Sequence, residues 1–193
     1  MDAAAPSILT FAGDLAERPE EREIRALLVR LASGDREALG ALYDRVAAEL
    51  HVLALWRTGR REDADDAVQD VFVRLAGTRV DLGRVARPRA YLLAMAHRAA
   101  VDRLRSRRTA SVDAVEAYLE APAFAPERAL DAARMSAALA RLPGKQREAI
   151  WLRHFAELTF REVGRVTGVT TFTAATRYRL GLVRLRALCE RGR

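Results

Sequence analysis

The sequence predicts an all-helical protein built as two small helical domains on a flexible linker. Three observations carry that expectation. Apolar residues recur at three- and four-residue spacing in segment after segment, with glycine or proline between them. The period is lost between about residues 109 and 127, where Pro122 and Pro126 fall. Near the C-terminus, two short periodic segments flank Gly168 with the spacing of a helix-turn-helix.

In chain order, residues 1–19 carry weak patterning and read as a mobile arm. Ile24, Leu27, Leu28 and Leu31 give the first amphipathic helix, over residues 20–33, which Gly34 stops before Asp35 caps the next. Leu39, Leu42, Tyr43, Val46, Leu50 and Leu53 keep the period in a second helix that ends by Gly59.

The third helix contains Asp63-Ala-Asp-Asp-Ala-Val-Gln-Asp-Val-Phe-Val-Arg-Leu75. On a helical period Ala64, Ala67, Val68, Val71, Phe72 and Leu75 form one stripe, and Asp66, Gln69, Asp70 and Val73 form another. Asp63 is placed to cap its start, and Asp65 and Asp66 suit the positive end of the helix dipole. By spacing alone, the polar stripe is either a solvated face or a docking surface.

A connection through residues 77–87 leads to Pro88, which suits a first helical turn. The fourth helix carries Tyr91, Leu92, Leu93, Met95, Ala96, Ala99, Ala100 and Leu104, with Arg98, Arg103, Arg105, Arg107 and Arg108 thickening toward its end. Tyr91 and Met95 fit either a plain core or a pocket for unstacked bases. Arginines would hold the backbone of an opened strand, and stacking on a side chain returns roughly 1 to 3 kcal/mol per base.

Beyond the linker, in which Tyr118, Leu119 and Phe124 are apolar enough to need a surface, a helix is expected over residues 125–142, stopped by Pro143. Another spans residues 145–155, with Ile150, Trp151 and Phe155 inside. Thr159-Phe-Arg-Glu162 is a capping box, Val163 and Val166 are inward positions, Gly168 permits the turn, Val169 packs inward and Thr170 caps the last helix. In such a unit the early residues of the second helix enter the major groove. Thr171, Phe172, Thr173, Ala175, Thr176 and Arg179 are the candidates there, with Arg177 and Arg184 near phosphates. A structural helical hairpin has the same local pattern.

The motifs resemble those of bacterial sigma-70 family sigma factors, and specifically the small two-domain extracytoplasmic-function (ECF) group, from about residue 20 to 188. Asp-Ala-x-Asp-Ala-Val-Gln-Asp-Val-Phe is similar to the family's core-polymerase-binding helix. Tyr91-Leu-Leu-x-Met-Ala-x-x-x-Ala-Val-Asp-Arg-Leu-Arg105 resembles its promoter-melting segment. Leu142-Pro-x-x-x-Arg147-Glu, Leu158-Thr-Phe-x-Glu162-Val-x-x-x-x-Gly168-Val and Thr173-x-x-x-Arg177 resemble its minus-thirty-five domain.

The resemblance implies a region 2-like bundle over residues 20–108, the linker at 109–127 and a region 4-like helix-turn-helix domain over 128–193. It places Asp66, Gln69 and Asp70 on a coiled coil of the largest polymerase subunit. It gives the minus-ten element to Tyr91, Arg98, Arg103, Arg105, Arg107 and Arg108, and the minus-thirty-five element to Thr171, Phe172, Thr173, Thr176, Arg177 and Arg179. The implied partners are core RNA polymerase, promoter DNA and an anti-sigma factor. The chain departs from the family pattern at Arg98, where asparagine is common, and at Gly164, Phe172, Ala174 and Ala175 around the recognition helix.

Composition is compatible with this. The 193-residue chain is half apolar, with net charge +7 and pI near 10.6. Such a balance favours a polyanionic partner. Lys145 is the only lysine, so arginine carries the charge and brings forked, phosphate-matching donors. A single cysteine, Cys189, excludes an internal disulfide and a cysteine-rich zinc site. No leader-like start or membrane-length apolar run is present, so a soluble cytoplasmic protein is expected.

His51, His97 and His154 lie in separate segments without zinc or acid–base spacing, and the glycines form no phosphate-cradling loop. The acids of the third helix lack the turn and mixed oxygen ligands of a calcium site. No cofactor or catalytic residue is expected. Two other readings remain at this point: a stand-alone helix-turn-helix regulator, and a sigma-like interaction module that reads DNA poorly.

Overall fold

The computed structural model describes residues 19–78, 82–110, 135 and 137–190, with the side chains of 108–110 excepted. The expected N-terminal arm, the linker with Tyr118, Leu119 and Phe124, and most of the helix expected before Pro143 lie outside the described residues. The described chain is helical throughout apart from its turns, without a strand.

Helix α1 (Pro19–Ala32) buries Ile24, Leu27 and Leu28. It stops at Gly34, whose φ of +93° is left-handed backbone that glycine adopts without a Cβ clash. Asp35 then starts α2 (Glu37–Thr58): its Oδ1 accepts from the Glu37 backbone N–H at 3.0 Å, while Arg30 Nε donates to its Oδ2 at 2.8 Å. The Arg30 hydrogen bond, more than any other influence, holds the Asp35 carboxyl below its usual range.

Helix α2 is the spine of the first unit. It buries Leu42, Val46, Leu50, Leu53 and Trp56 and touches α1, α3 and α4. Gly59, at φ +75°, closes it by donating its N–H to Leu55 O at 2.7 Å, a left-handed C-terminal cap. Tyr43, which keeps the apolar period of α2, is half exposed and leans on Phe72 with ring centroids 4.9 Å apart.

Helix α3 (Arg61–Gly77) buries the predicted stripe of Ala64, Ala67, Val68, Val71, Phe72 and Leu75. It begins three residues earlier than expected. Arg60 occupies the cap position without a side-chain cap bond, so Asp63 lies inside the first turn rather than at the cap. After a short 3-10 turn (Leu82–Arg84), α4 (Pro88–Ala110) starts on its proline and runs two residues past residue 108. Ala54, Ala64, Ala67, Ala99 and Ala100 form a separate buried cluster among α2, α3 and α4, where methyl side chains allow close helix approach.

In the second unit, residues 137–140 are helical and lead into Pro143. Helices α5 (Gly144–His154), α6 (Phe160–Thr167) and α7 (Thr171–Glu190) follow. Ile150 and Trp151 are buried as expected; Phe155 is half exposed, because α5 ends at His154 and the chain turns there. The capping box is complete: Glu162 N–H donates to Thr159 Oγ1 at 3.3 Å, and Thr159 N–H donates to Glu162 Oε2 at 2.8 Å. Gly168 turns the chain at φ +68°, and Thr170 Oγ1 accepts from the Thr173 N–H at 3.1 Å.

The turn works only with a small residue at 164. A Cβ built there would stand 2.7 Å from Val169 O, closer than packed atoms approach, and Val169 N–H already donates to Gly164 O at 2.7 Å.

The two units are docked. One buried apolar cluster runs from Ile24 through Trp56 and Leu92 to Trp151 and Ala174, with α5 against α2 and α6 against α4. Polar contacts cross the same boundary. Arg147 Nη2 donates to Trp56 O at 2.9 Å, and Arg89 Nη1 donates to Ala156 O at 3.1 Å. Arg87 Nε lies 3.2 Å from Glu162 Oε1, and His97 Nε2 lies 3.1 Å from Glu148 Oε1.

Candidate polymerase and nucleic-acid interfaces

The polar stripe of α3 stands free of the core. Gln69 and Val73 are exposed, Val73 at 63%, while Asp66 and Asp70 are half exposed. The two carboxylates share one partner on α4. Arg103 Nη1 donates to Asp66 Oδ2 and Nη2 to Asp70 Oδ2, both at 2.8 Å, so one guanidinium fork spans one helical turn of acids. The Asp70 bond raises the Arg103 pKa above its ordinary value. One turn earlier, Arg107 Nη1 donates to Asp63 Oδ2 at 2.7 Å.

This differs from the expectation that Arg103 and Arg107 face DNA. Both turn toward α3, because the i, i+4 spacing that puts them on one side of α4 matches the spacing of the aspartates opposite. The Arg108 side chain lies outside the described residues.

Beside the stripe runs an apolar groove of about 1060 Å³ between α2 and α3. Tyr43, Val52, Val68, Gln69, Phe72 and Val73 line it, and His51 at its edge stands 3.0 Å from Asp65. Tyr43 and Val52 on α2 were not legible as part of this face, since their helical register also fits a core position.

Tyr91 is half buried on α4, and burial pushes its hydroxyl pKa up against the opposing charge of Arg98. The structure brings Tyr91, Met95, Arg98 and Arg105 to one cleft of about 880 Å³, with Thr78 at its edge. Its opposite wall belongs to the second unit and includes Lys145, Arg165, Gly168 and Arg177. Arg98 and Arg105 are exposed, and Arg105 lies 3.9 Å from Asp102. Arg57 and Arg74 add to the cations of this cleft, against Asp102 and Glu148. Arg74 and Lys145 were not among the expected contacts, and neither lies in a motif that marks it.

On the recognition helix, Thr171, Phe172 and Arg179 are exposed, Phe172 at 74%. Thr173 and Thr176 are half buried: Thr173 Oγ1 is 2.9 Å from Thr170 Oγ1 in the cap, which uses part of its bonding capacity. Arg177 faces the interunit cleft. Behind the helix, Gly181 lets α7 cross α5 closely, because a Cβ there would stand 2.9 Å from Ile150 Cδ1.

Among the described residues no group of three or more His, Cys, Asp or Glu side chains is arranged to hold a metal, and no helix is long and apolar enough to cross a membrane.

A helical bundle presenting an acid-and-amide face, followed by a helix-turn-helix, defines a promoter-specificity subunit of the sigma-70 class. Family models match both halves: Sigma-70 region 2 over residues 42–110 and Sigma-70 region 4 over residues 132–185. The chain is 30% identical over 175 residues to the ECF RNA polymerase sigma factor SigK of Mycolicibacterium vanbaalenii, covering 85% of this chain and 88% of that one. It is 27% identical to SigK of Mycobacterium ulcerans over 85% of this chain and 92% of the relative.

Among solved structures, CnrH in complex with the cytosolic domain of CnrY superposes with a TM-score of 0.63 at 25% identity, covering 87% of this chain and 97% of that one. The sigma factor RpoE of Bartonella quintana, solved with the anti-sigma factor NepR, shares the fold with a TM-score of 0.59 at 22% identity, over 78% of this chain and 96% of that one. The chain belongs to the ECF sigma factors of the sigma-70 family. It is therefore a transcription-initiation factor whose partners are core RNA polymerase and promoter DNA. The region 2 match removes the reading as a stand-alone helix-turn-helix regulator.

Proposed function

We propose that Asp66, Gln69 and Asp70 are the polymerase-docking residues, within a region 2-like domain of residues 20–108 that a linker at 109–127 joins to a region 4-like domain of 128–193. The supporting observation is the shape of this face: an exposed amide and two half-exposed carboxylates lie beside an apolar groove with Tyr43 and Val73 at its rim. A helical partner laid there would meet polar groups that fix its register and apolar surface worth roughly 25 cal/mol per Å² buried.

Tyr91, Arg98 and Arg105 then receive and hold the opened minus-ten strand. Opening duplex DNA gives up about 1.4 kcal/mol of stacking per step, which base capture and phosphate contacts must replace. Arg103 and Arg107 serve this step at one remove, by fixing α4 against the docking helix. Thr171, Phe172 and Arg179 meet the minus-thirty-five duplex, with Thr173, Thr176 and Arg177 behind them. The polymerase performs the chemistry, so the chain acts as a cytoplasmic factor without a catalytic group of its own. CnrH was solved with the cytosolic domain of CnrY and RpoE with the anti-sigma factor NepR, and these complexes support an anti-sigma factor as a further partner here.

Run-off transcription with purified core polymerase on genomic fragments tests this reading. Start sites should appear with the natural chain and fade with Asp66→Ala/Gln69→Ala; equal start sites with both chains would refute the docking assignment.

A further inference from the structure

We propose that the cleft lined by both units binds a free nucleoside triphosphate, with its phosphates on unpaired cations and its base against Tyr91 and Met95. Occupancy of the cleft is independent of the promoter reading above; competition between the ligand and the opened strand rests on that reading.

The first observation is charge. The first unit brings Arg57, Arg74, Arg98 and Arg105 to the cleft, and the second brings Lys145, Arg165 and Arg177. Among the described residues only two carboxylates line the same space, Asp102 and Glu148. Each has a cation beside it: Asp102 stands 3.9 Å from Arg105 Nη1, and Glu148 stands 3.9 Å from Arg57 Nε. That leaves Arg74, Arg98, Lys145 and Arg177, whose side chains form no hydrogen bond or ion pair among the described residues. Like charges gathered round one low-dielectric space focus their field and concentrate small anions there. A triphosphate carries the complementary charge, and a guanidinium fork matches two of its oxygens at once.

The second observation is size and lining. The cleft's volume of about 880 Å³ falls within the roughly 300 to 1,000 Å³ of small-molecule sites. A duplex, whose major groove alone is about 12 Å wide, does not enter such a space, whereas a mononucleotide does. Leu75, Tyr91, Met95 and Val166 add apolar wall beside the cations. A ring such as Tyr91 takes any base, because every base has a π face, so the site selects a nucleoside polyphosphate without selecting its base.

Arg74 and Lys145 have no task in polymerase docking or promoter binding, yet both point charge at this one space. A phosphate chain crossing from Tyr91 toward Lys145 and Arg177 gives them one. Tyr91, Arg98 and Arg105 are also the proposed holders of the minus-ten strand, so a seated nucleotide excludes that strand.

Isothermal titration calorimetry of the full chain with ATP and with GTP tests the site. Both should bind saturably, one to one, in the micromolar range. Inorganic triphosphate and adenosine, each offering half of the ligand, should bind at least tenfold more weakly than ATP. Arg74→Glu and Lys145→Glu, both at exposed positions, should each weaken ATP at least tenfold, while Arg22→Glu, an exposed change of equal charge outside the cleft, should alter it less than threefold.

Absence of saturable binding by both nucleotides overturns the proposal. So does an Arg22→Glu loss equal to that of Lys145→Glu, which marks general attraction of anions, and so does triphosphate binding as tightly as ATP, which leaves the base no share. Displacement of bound ATP by a short single-stranded DNA supports the shared site. ATP binding that passes the variant tests but resists the strand upholds the nucleotide site and counts against the minus-ten assignment of Tyr91, Arg98 and Arg105 alone.

Discussion

Arg103 and Asp70 join the two working helices of the first unit: the guanidinium on α4 donates to the carboxylate on α3 at 2.8 Å, and its second nitrogen takes Asp66 at the same distance. The helix we propose as the polymerase-docking face is thereby tied to the helix we propose as the holder of the opened strand. A shift of either side chain is felt by both.

The strength of that tie is measurable. Arg103 and Asp70 are each more than a third exposed, so solvent screens them and a partly exposed pair is worth about 0.2 to 1 kcal/mol. A double-mutant cycle of Arg103→Gln and Asp70→Asn by urea unfolding should return a coupling in that range, reduced at high salt. A coupling of zero at low salt would remove the tie.

Three glycines separate two causes of glycine use. Gly164→Ala drives a Cβ to 2.7 Å from Val169 O and should cost about 1 to 3 kcal/mol. Gly168→Ala places alanine at φ +68° and should cost about 1 to 2 kcal/mol through backbone strain alone. Gly40→Ala, on the exposed side of α2 with nothing within 4 Å, should stabilise by roughly 0.5 to 1 kcal/mol. Thermal melting of the three variants checks the order.

Phe172→Ala should leave stability within about 0.5 kcal/mol, because the ring is 74% exposed. Its effect should appear on DNA: a loss of about 1 to 3 kcal/mol in affinity for duplex containing a mapped minus-thirty-five element, and little change on unrelated duplex. For the natural chain, affinity should fall with ionic strength at a log-log slope of about 0.9 per phosphate contact. Band-shift titrations at several salt concentrations measure both.

Glu21 gives a pH test. Burial raises its carboxyl pKa above the ordinary value, outweighing the Arg89 backbone hydrogen bond and the charges of Arg87 and Arg89. The folded state therefore holds this proton more tightly than the unfolded state does. This contribution to stability is present at low pH and is lost as pH rises through the folded pKa. Glu21→Gln should be more stable than the natural chain at pH 7, with the advantage vanishing below the ordinary carboxylate range. Denaturant melts at pH 7 and pH 3.5 compare the two.

Helix identity and the Thr159–Glu162 capping box were legible because they depend on neighbours three or four residues away. The buried stripe of α3 followed the period for the same reason. Asp63 was misplaced because an aspartate suits both a cap and a first turn, and only Arg107, 44 residues on, decides between them. Tyr43 and Phe155 kept an apolar period but are half exposed, Tyr43 against Phe72 in the groove between α2 and α3 and Phe155 just past the end of α5. The docking of the two units had no local signature: Arg147 meets Trp56 O across 91 residues, and a backbone carbonyl carries no mark in a sequence. Thr171, Phe172 and Arg179 were legible as outward positions of the last helix, while a base preference has no mark in the helical period.

The central claim is that the acid-and-amide face of α3 grips core RNA polymerase. Equilibrium titration of labelled chain with purified core enzyme, without inhibitor, tests it most directly. The account predicts micromolar or tighter binding that weakens at least about tenfold, or ~1.4 kcal/mol, in both Gln69→Ala and Asp66→Ala. Gln69→Ala is the cleaner variant, since Asp66→Ala also removes a bond to Arg103. No binding by the natural chain, or equal binding by all three, would contradict it.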